Sequence, residues 1–205
     1  MSFVIFDTEY TTWKGCNENG WHGNQKKEIV QIAALKINAD FEVIDTFNVL
    51  CKPIVNPVLS DYFVNLTGIT NETICAKGMS FTEAYKKFTD FVGNDVCFSH
   101  GWGGDYFSKS DGLVMEENLQ INNIMPEKNL KYRNIAAVFK ELYAKHNIDI
   151  KSQSSGQIVK ILNIQEKLIK LGLDEHNALF DVYSILEGLK FFRNDSLKLL
   201  SESIC

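Results

Sequence analysis

Four apolar residues in a row, Phe3-Val-Ile-Phe6, run directly into Asp7-Thr-Glu9. A run this rich in β-formers predicts a strand buried on both faces. Strand side chains alternate, so Asp7 and Glu9 emerge on one face at the carboxyl end, where open α/β sheets place their sites. Glu28–Ile37 and Glu42–Leu50 predict two long strands joined by the short turn Asn38–Phe41, an antiparallel hairpin. Ser60–Gly68 predicts a short helix closed by glycine. Ser80 and Glu83 form a capping-box pattern opening a helix through Phe91, with Phe81, Ala84, Tyr85 and Phe88 on one face. Asp95–Ser99 then reads as a second short apolar strand, set beside the first by a right-handed crossover. Beyond a polar stretch to Asn129, the pattern predicts a strand over Leu130–Asn134 and helices over Ile135–His146, Gln157–Leu171 and from Ala178 onward. Ser152–Gly156 reads as a flexible loop too short to divide domains, so residues 1–205 are expected to form one domain.

Composition narrows the class without naming the chemistry. The chain has 205 residues, 45% hydrophobic and 23% charged, as in ordinary globular proteins, and is long enough to bury a real core. The start resembles no signal peptide and no stretch approaches a membrane span, so a cytoplasmic protein without membrane attachment is expected. Five cysteines at positions 16, 51, 75, 97 and 205 have no CxxC spacing and read as reduced core thiols. A net charge of −5 argues against a domain that holds nucleic acid by bulk electrostatics, but not against a nuclease whose acids are filled by cations.

The candidate chemistry lies in acids placed where a fold would rather not have them. The final helix carries Val182, Ile185, Leu189 and Phe192 on its buried face, and Asp181 falls on or beside that stripe with no lysine or arginine within four residues. His176 stands just ahead of that helix, able to overhang whatever Asp181 binds. Glycines in Gly101-Trp-Gly-Gly104 allow close backbone approach after the second strand, and Asp105 sits where a helix would begin. Asp111 precedes Gly112 and reads as a turn residue. Each has an ordinary reading, as turn, cap or surface group. The loop from Tyr10 to Lys27 holds Trp13 and Trp21, which can either bury its underside or stack on bases.

Taken together these segments resemble the DEDDh (DnaQ-like) family of 3′-to-5′ exonucleases. The first motif matches Asp7-Thr-Glu9, the second the region Ser99 to Asp105, and the third His176-Asn-Ala-Leu-Phe-Asp181. Glu28–Ala34 and Leu66-Thr-Gly-Ile69 look like the segments between them, and the tryptophan loop is most similar to the branch of KapD-like proteins and the histone-mRNA 3′-end exoribonuclease. The resemblance implies an RNase H-like α/β fold, a mixed five-stranded sheet flanked by helices. It also implies two divalent cations, Mg²⁺ or Mn²⁺, held by Asp7, Glu9, Asp105 and Asp181, with His176 as general base. A neutral histidine titrates near 6.5, which suits that role. Thr8, Tyr10 and Leu66 would lie against the terminal nucleotide. The expected activity is metal-dependent release of nucleoside 5′-monophosphates from the 3′ end of single-stranded nucleic acid, RNA favoured. A DNA exonuclease and a non-catalytic nucleic-acid-binding module are the alternatives.

Overall fold

Alternation along the first strand sorts the molecule into its layers. The computed structural model describes residues 2–101, 105, 108–126, 128–150, 154–173 and 176–204. The stretch 102–104, Tyr106, and Ser152 and Gln153 of the expected flexible loop lie outside them. In chain order the elements are β1 (Ser2–Tyr10), α1 (Cys16–Asn19), β2 (Ile29–Asn38), β3 (Val43–Leu50), α2 (Asp61–Thr67), α3 (Asn71–Lys77), α4 (Phe81–Val92) and β4 (Val96–Ser99). They continue with α5 (Asp111–Ile121), β5 (Lys131–Asn134), α6 (Ile135–Lys145), a 3-10 turn (Ser155–Gln157), α7 (Ile158–Ile161), α8 (Glu166–Ile169), α9 (Ala178–Phe191) and α10 (Arg193–Ile204).

The strands form one mixed sheet in the order β3-β2-β1-β4-β5. β1 pairs antiparallel with β2 and parallel with β4, so β1 is the central strand and its carboxyl end lies beside that of β4. Odd residues Phe3 and Ile5 join Ala33, Leu35 and Ile37 of β2 in a core completed by α6, α7 and α9. Even residues Val4 and Phe6 join Ile32 and Ala34 in a second core beneath α4 and α5. The polypeptide is thus an RNase H-like α/β fold, with helices on both faces of a five-stranded sheet.

The hairpin, the helix after Ser60, the second strand and the helix from Ala178 form where the pattern predicts them. Ser60 and Ser80 each accept a backbone N–H three residues on, and Gly68 ends α2 at φ 71°. Three expectations are corrected. No helix begins at Asp105; α5 begins at Asp111, within the polar stretch for which the pattern assigns no element. Its apolar residues Leu113, Val114, Met115 and Leu119 make no single stripe, so periodicity gives no signal. The helix expected over Gln157–Leu171 is broken, because Asn163 turns to φ 54° between α7 and α8. α3 escapes the pattern because its seven residues bury only Ile74.

Gly188 shows how tightly α9 is seated. A Cβ there would come within 2.5 Å of Ile158 and 2.8 Å of the Phe139 ring. Gly188→Ala should gain roughly 1 kcal/mol in helix propensity but lose about 1–3 kcal/mol to overpacking, for a net destabilisation on the order of 1 kcal/mol. Urea unfolding measures this, and a stabilised variant would show that α9 can lift from α6 and α7.

Candidate metal and nuclease site

Odd positions at the end of β1 leave the core and become the site. Asp7 pairs with Ala33 and Glu9 with Gln31, so both acids share the sheet face on which α9 packs. A bulge between Glu9 and Tyr10 ends this register, as is common beside functional sites. On α9, Asp181 lies in the first turn after the cap Asn177, whose side chain accepts the Leu179 N–H at 3.0 Å. Asp7, Glu9 and Asp181 each bring a carboxylate oxygen within 4.8 Å of the others.

Asp111 also acts electrostatically on this cluster, raising both Asp7 and Glu9. It acts on Asp7 more strongly than Asp181 or Glu9 does. Its backbone N–H donates to the buried Ser99 Oγ at the end of β4 (3.1 Å). Gly112 makes this possible: a Cβ there would meet the Tyr132 ring at 2.5 Å, so only glycine lets α5 start against β5. Asp105 is exposed and is engaged in its own turn, where its N–H donates to Ser108 Oγ and its C=O accepts the Ser108 N–H.

Among the described residues, the charges acting on Asp7 and Glu9 are other carboxylates. Burial first, then these neighbours, hold both well above the usual carboxylate range. Burial also pushes Asp111 up to about 7, partly offset by the Thr8 N–H and Lys27. A donor set made only of carboxylate oxygens, converged and short of positive charge, fits hard divalent cations such as Mg²⁺ or Mn²⁺ rather than zinc or copper.

His176 is exposed, held at φ 57° immediately before Asn177. Thr8 is 5% exposed and its side chain lies on the opposite sheet face from the acids. Tyr10 and Leu66 are half-buried and keep surface to offer a ligand. Burial and the carboxylates raise the Tyr10 hydroxyl, so it stays protonated. Its ring lies 5.9 Å from that of Trp21, and Lys27 Nζ stands over both rings.

Two supports were not anticipated from the sequence. Gly156 approaches Asp181 so closely that a Cβ would fall 2.5 Å from its Oδ1. The loop expected to be flexible is, from Ser154 on, packed: Ser155 is buried and its C=O accepts the Ser184 hydroxyl of α9 at 2.6 Å. Gln31, 2% exposed, accepts the Ala178 N–H through Oε1 (3.1 Å) and donates through Nε2 to Asn177 Oδ1 (3.1 Å), tying the start of α9 to β2. A polar residue inside an apolar strand run, as Gln31 is in Ile29–Ile37, was the one available hint.

The exonuclease (RNase_T) family profile matches residues 4–118, more than half of the chain. The chain belongs to the exonuclease (RNase_T) family. The chain is also similar in fold to the nuclease domain of 3′hExo, a DEDDh family member bound to rAMP (TM-score 0.64, 21% identity, 99% of this chain and 93% of that one). Cell-death related nuclease 4 superposes with a TM-score of 0.70 at 18% identity over 94% of this chain and 64% of that one. E. coli exonuclease I in complex with a dT13 oligonucleotide gives 0.70 at 18% identity over 98% of this chain and 43% of that one. The chain therefore spans less than two thirds of these last two proteins. No curated protein sequence matches it. Among the described residues, no helix is long and apolar enough to cross a membrane.

Two outcomes follow from the crowded acids. Carboxyls of an unfolded chain titrate near 4, whereas those of Asp7, Glu9 and Asp111 keep their protons to higher pH in the fold. Between about pH 4 and about 7 the metal-free fold binds more protons than the unfolded chain, so these groups make stability fall as pH rises through that window. Mn²⁺ should therefore raise Tm more at pH 8 than at pH 5, where protons already relieve the repulsion; a pH-independent Mn²⁺ shift in scanning fluorimetry would count against it. Separately, Gly156→Ala should displace Asp181 and weaken Mn²⁺ binding in calorimetry by about tenfold or more. Unchanged affinity would free Asp181 from that dependence.

Proposed function

We propose that the chain is a metal-dependent 3′-to-5′ exonuclease that acts on single-stranded nucleic acid, preferentially RNA, and releases nucleoside 5′-monophosphates. The observation that carries this reading is the convergence of Asp7, Glu9 and Asp181 within ligand reach, with Asp111 acting on the same point. Residues 1–205 serve as one such domain, in line with the 93% of the 3′hExo nuclease domain that the chain covers.

Asp7, Glu9, Asp181 and Asp111 hold two divalent cations in this reading. When bound, such cations lower the pKa of water and stabilise charge on the scissile phosphate and leaving oxygen. His176, exposed immediately before the Asn177 cap of the helix that carries Asp181, takes the proton from the attacking water at an imidazole nitrogen in this reading. Gln31 and Asn177 fix the turn from which His176 projects. Tyr10 and Leu66 lie against the terminal base, and an apolar contact of this kind favours strands whose bases are unpaired. The RNA preference draws on the resemblance of the Trp13/Trp21 loop to the branch of KapD-like proteins and the histone-mRNA exoribonuclease. It draws also on the 3′-exonuclease whose structure shows recognition of a histone mRNA stem-loop (TM-score 0.62, 19% identity).

The test is a time course on 5′-labelled RNA and DNA of one sequence with Mg²⁺ or Mn²⁺. A one-nucleotide ladder from the 3′ end, abolished by EDTA and faster on RNA, is expected. His176→Ala should slow turnover about 10²–10⁴-fold with metal affinity retained, and Asp7→Asn should lose both. Asp111→Asn should cost about 100-fold and Asp105→Asn little. Binding without cleavage under every metal condition would favour the binding-module alternative, and faster cleavage of DNA the other.

A further inference from the structure

A groove of about 550 Å³ runs from the site along the edge of the sheet, between the end of β3, the α2–α3 corner and the start of α9. Gln31, Asn48, Thr67, Thr73, Lys77 and Asn177 supply its polar lining. It meets the acid cluster at two points: Asn177 adjoins His176, and Gln31 is the sheet partner of Glu9.

The hydrogen bonds beneath the groove decide what its polar side chains can offer. The Ala178 N–H can only donate, so the atom of Gln31 facing it at 3.1 Å must be Oε1. Gln31 Nε2 then donates to both Asn48 Oδ1 (2.9 Å) and Asn177 Oδ1 (3.1 Å), and Asn177 Oδ1 accepts the Leu179 N–H as well. With both carbonyl oxygens engaged, each asparagine is left with its Nδ2 hydrogens to offer. Thr67 is spent within its own corner, donating to the Phe63 C=O and accepting the Ile69 N–H. Lys77 is exposed and has no hydrogen bond or ion pair among the described residues. Thr73 Oγ1 is paired with Thr70 Oγ1 at 3.1 Å, so the groove offers chiefly two amide donors and an ammonium; it selects an anion, and it leads to a cluster of acids that would repel one.

We infer that this groove, through Lys77, Asn48 and Asn177, carries the phosphodiester backbone of a single strand whose 3′ end lies at the acids. The inference rests on the exonuclease reading for the identity of the strand. It gives a polyanion positive and donor contacts beside a repulsive centre in a chain whose overall charge is −5. Gln31 is then a positioning residue for both, holding the helix that carries Asp181 and orienting the amides that receive the strand.

The experiment measures binding of a fluorescein-labelled 12-nucleotide single strand by anisotropy across a range of KCl, on an Asp7→Asn background that does not consume the probe. Lys77→Ala should weaken binding several-fold, by about 3–10, and flatten the dependence of log affinity on log salt by about 0.7, the loss of one phosphate contact. Asn48→Asp keeps the oxygen that Gln31 needs and replaces the free donor with a charged acceptor, so it should weaken binding about tenfold without altering Tm. Lys86→Ala, on the exposed face of α4, is the control. Binding and salt slope unchanged in both groove variants would overturn the inference. So would a Lys77→Ala loss as large for AMP as for the 12-mer, since the groove would then hold released mononucleotide. If the parent protein shortens oligonucleotides while both variants bind normally, the groove fails and the exonuclease reading stands. If the parent cleaves nothing yet Lys77→Ala flattens the salt slope, the groove stands and the exonuclease reading fails.

Discussion

Bringing Asp7, Glu9, Asp111 and Asp181 together costs the fold electrostatic free energy, because burial and mutual repulsion both penalise their ionised forms. Each acid is carried by an element that is anchored elsewhere. β1 is the central strand, bonded on both sides and buried on both faces. α9 is clamped by Gly188 against α6 and α7 and by Gln31 against β2. α5 is pinned at its first residue by Ser99 and brought close by the missing side chain at Gly112. The repulsion is therefore borne largely by hydrophobic cores on two sides of the sheet, with Lys27 offsetting part of it at Asp111.

That division of labour explains which parts were legible in the sequence. Strands and amphipathic helices announce themselves by period, so the hairpin, β4, α4, α6 and α9 could be read, and with them Asp7, Glu9 and Asp181. Asp111 was read as a turn because it precedes glycine. Gly112 serves instead to admit the Tyr132 ring, and no local pattern records a contact between residues so far apart in the chain. The same holds for Gly156 against Asp181, which lies in a stretch whose serines and glycine read as loop. Asp105 drew attention because its spacing from the preceding strand suited a motif; in the structure it closes a turn with Ser108. Local period reveals elements; it does not reveal what the elements bring together.

Gln31 links the chemistry of the site to its surroundings. One buried amide reads a backbone donor with its oxygen and satisfies two asparagines with its nitrogen. Because a buried amide left unpaired is costly, the three side chains have one consistent arrangement, and the direction of each free N–H follows from it. The neighbouring Glu28 uses similar economy at the other end of the loop, gathering the N–H groups of Ile54, Val55 and Asn56 on one carboxylate. Both residues are polar and buried, Gln31 on β2 and Glu28 immediately before it, and both tie another segment to the sheet.

The wide separation of Glu9 and Asp181 along the chain has a consequence for the making of the protein. Synthesis proceeds from β1 toward α9, and at about 5–20 residues per second the interval between these two acids is on the order of ten seconds. During that interval the emerging chain holds Asp7 and Glu9 but neither Asp181 nor His176. The nascent polypeptide cannot bring these acids together until α9 has emerged and docked on the sheet.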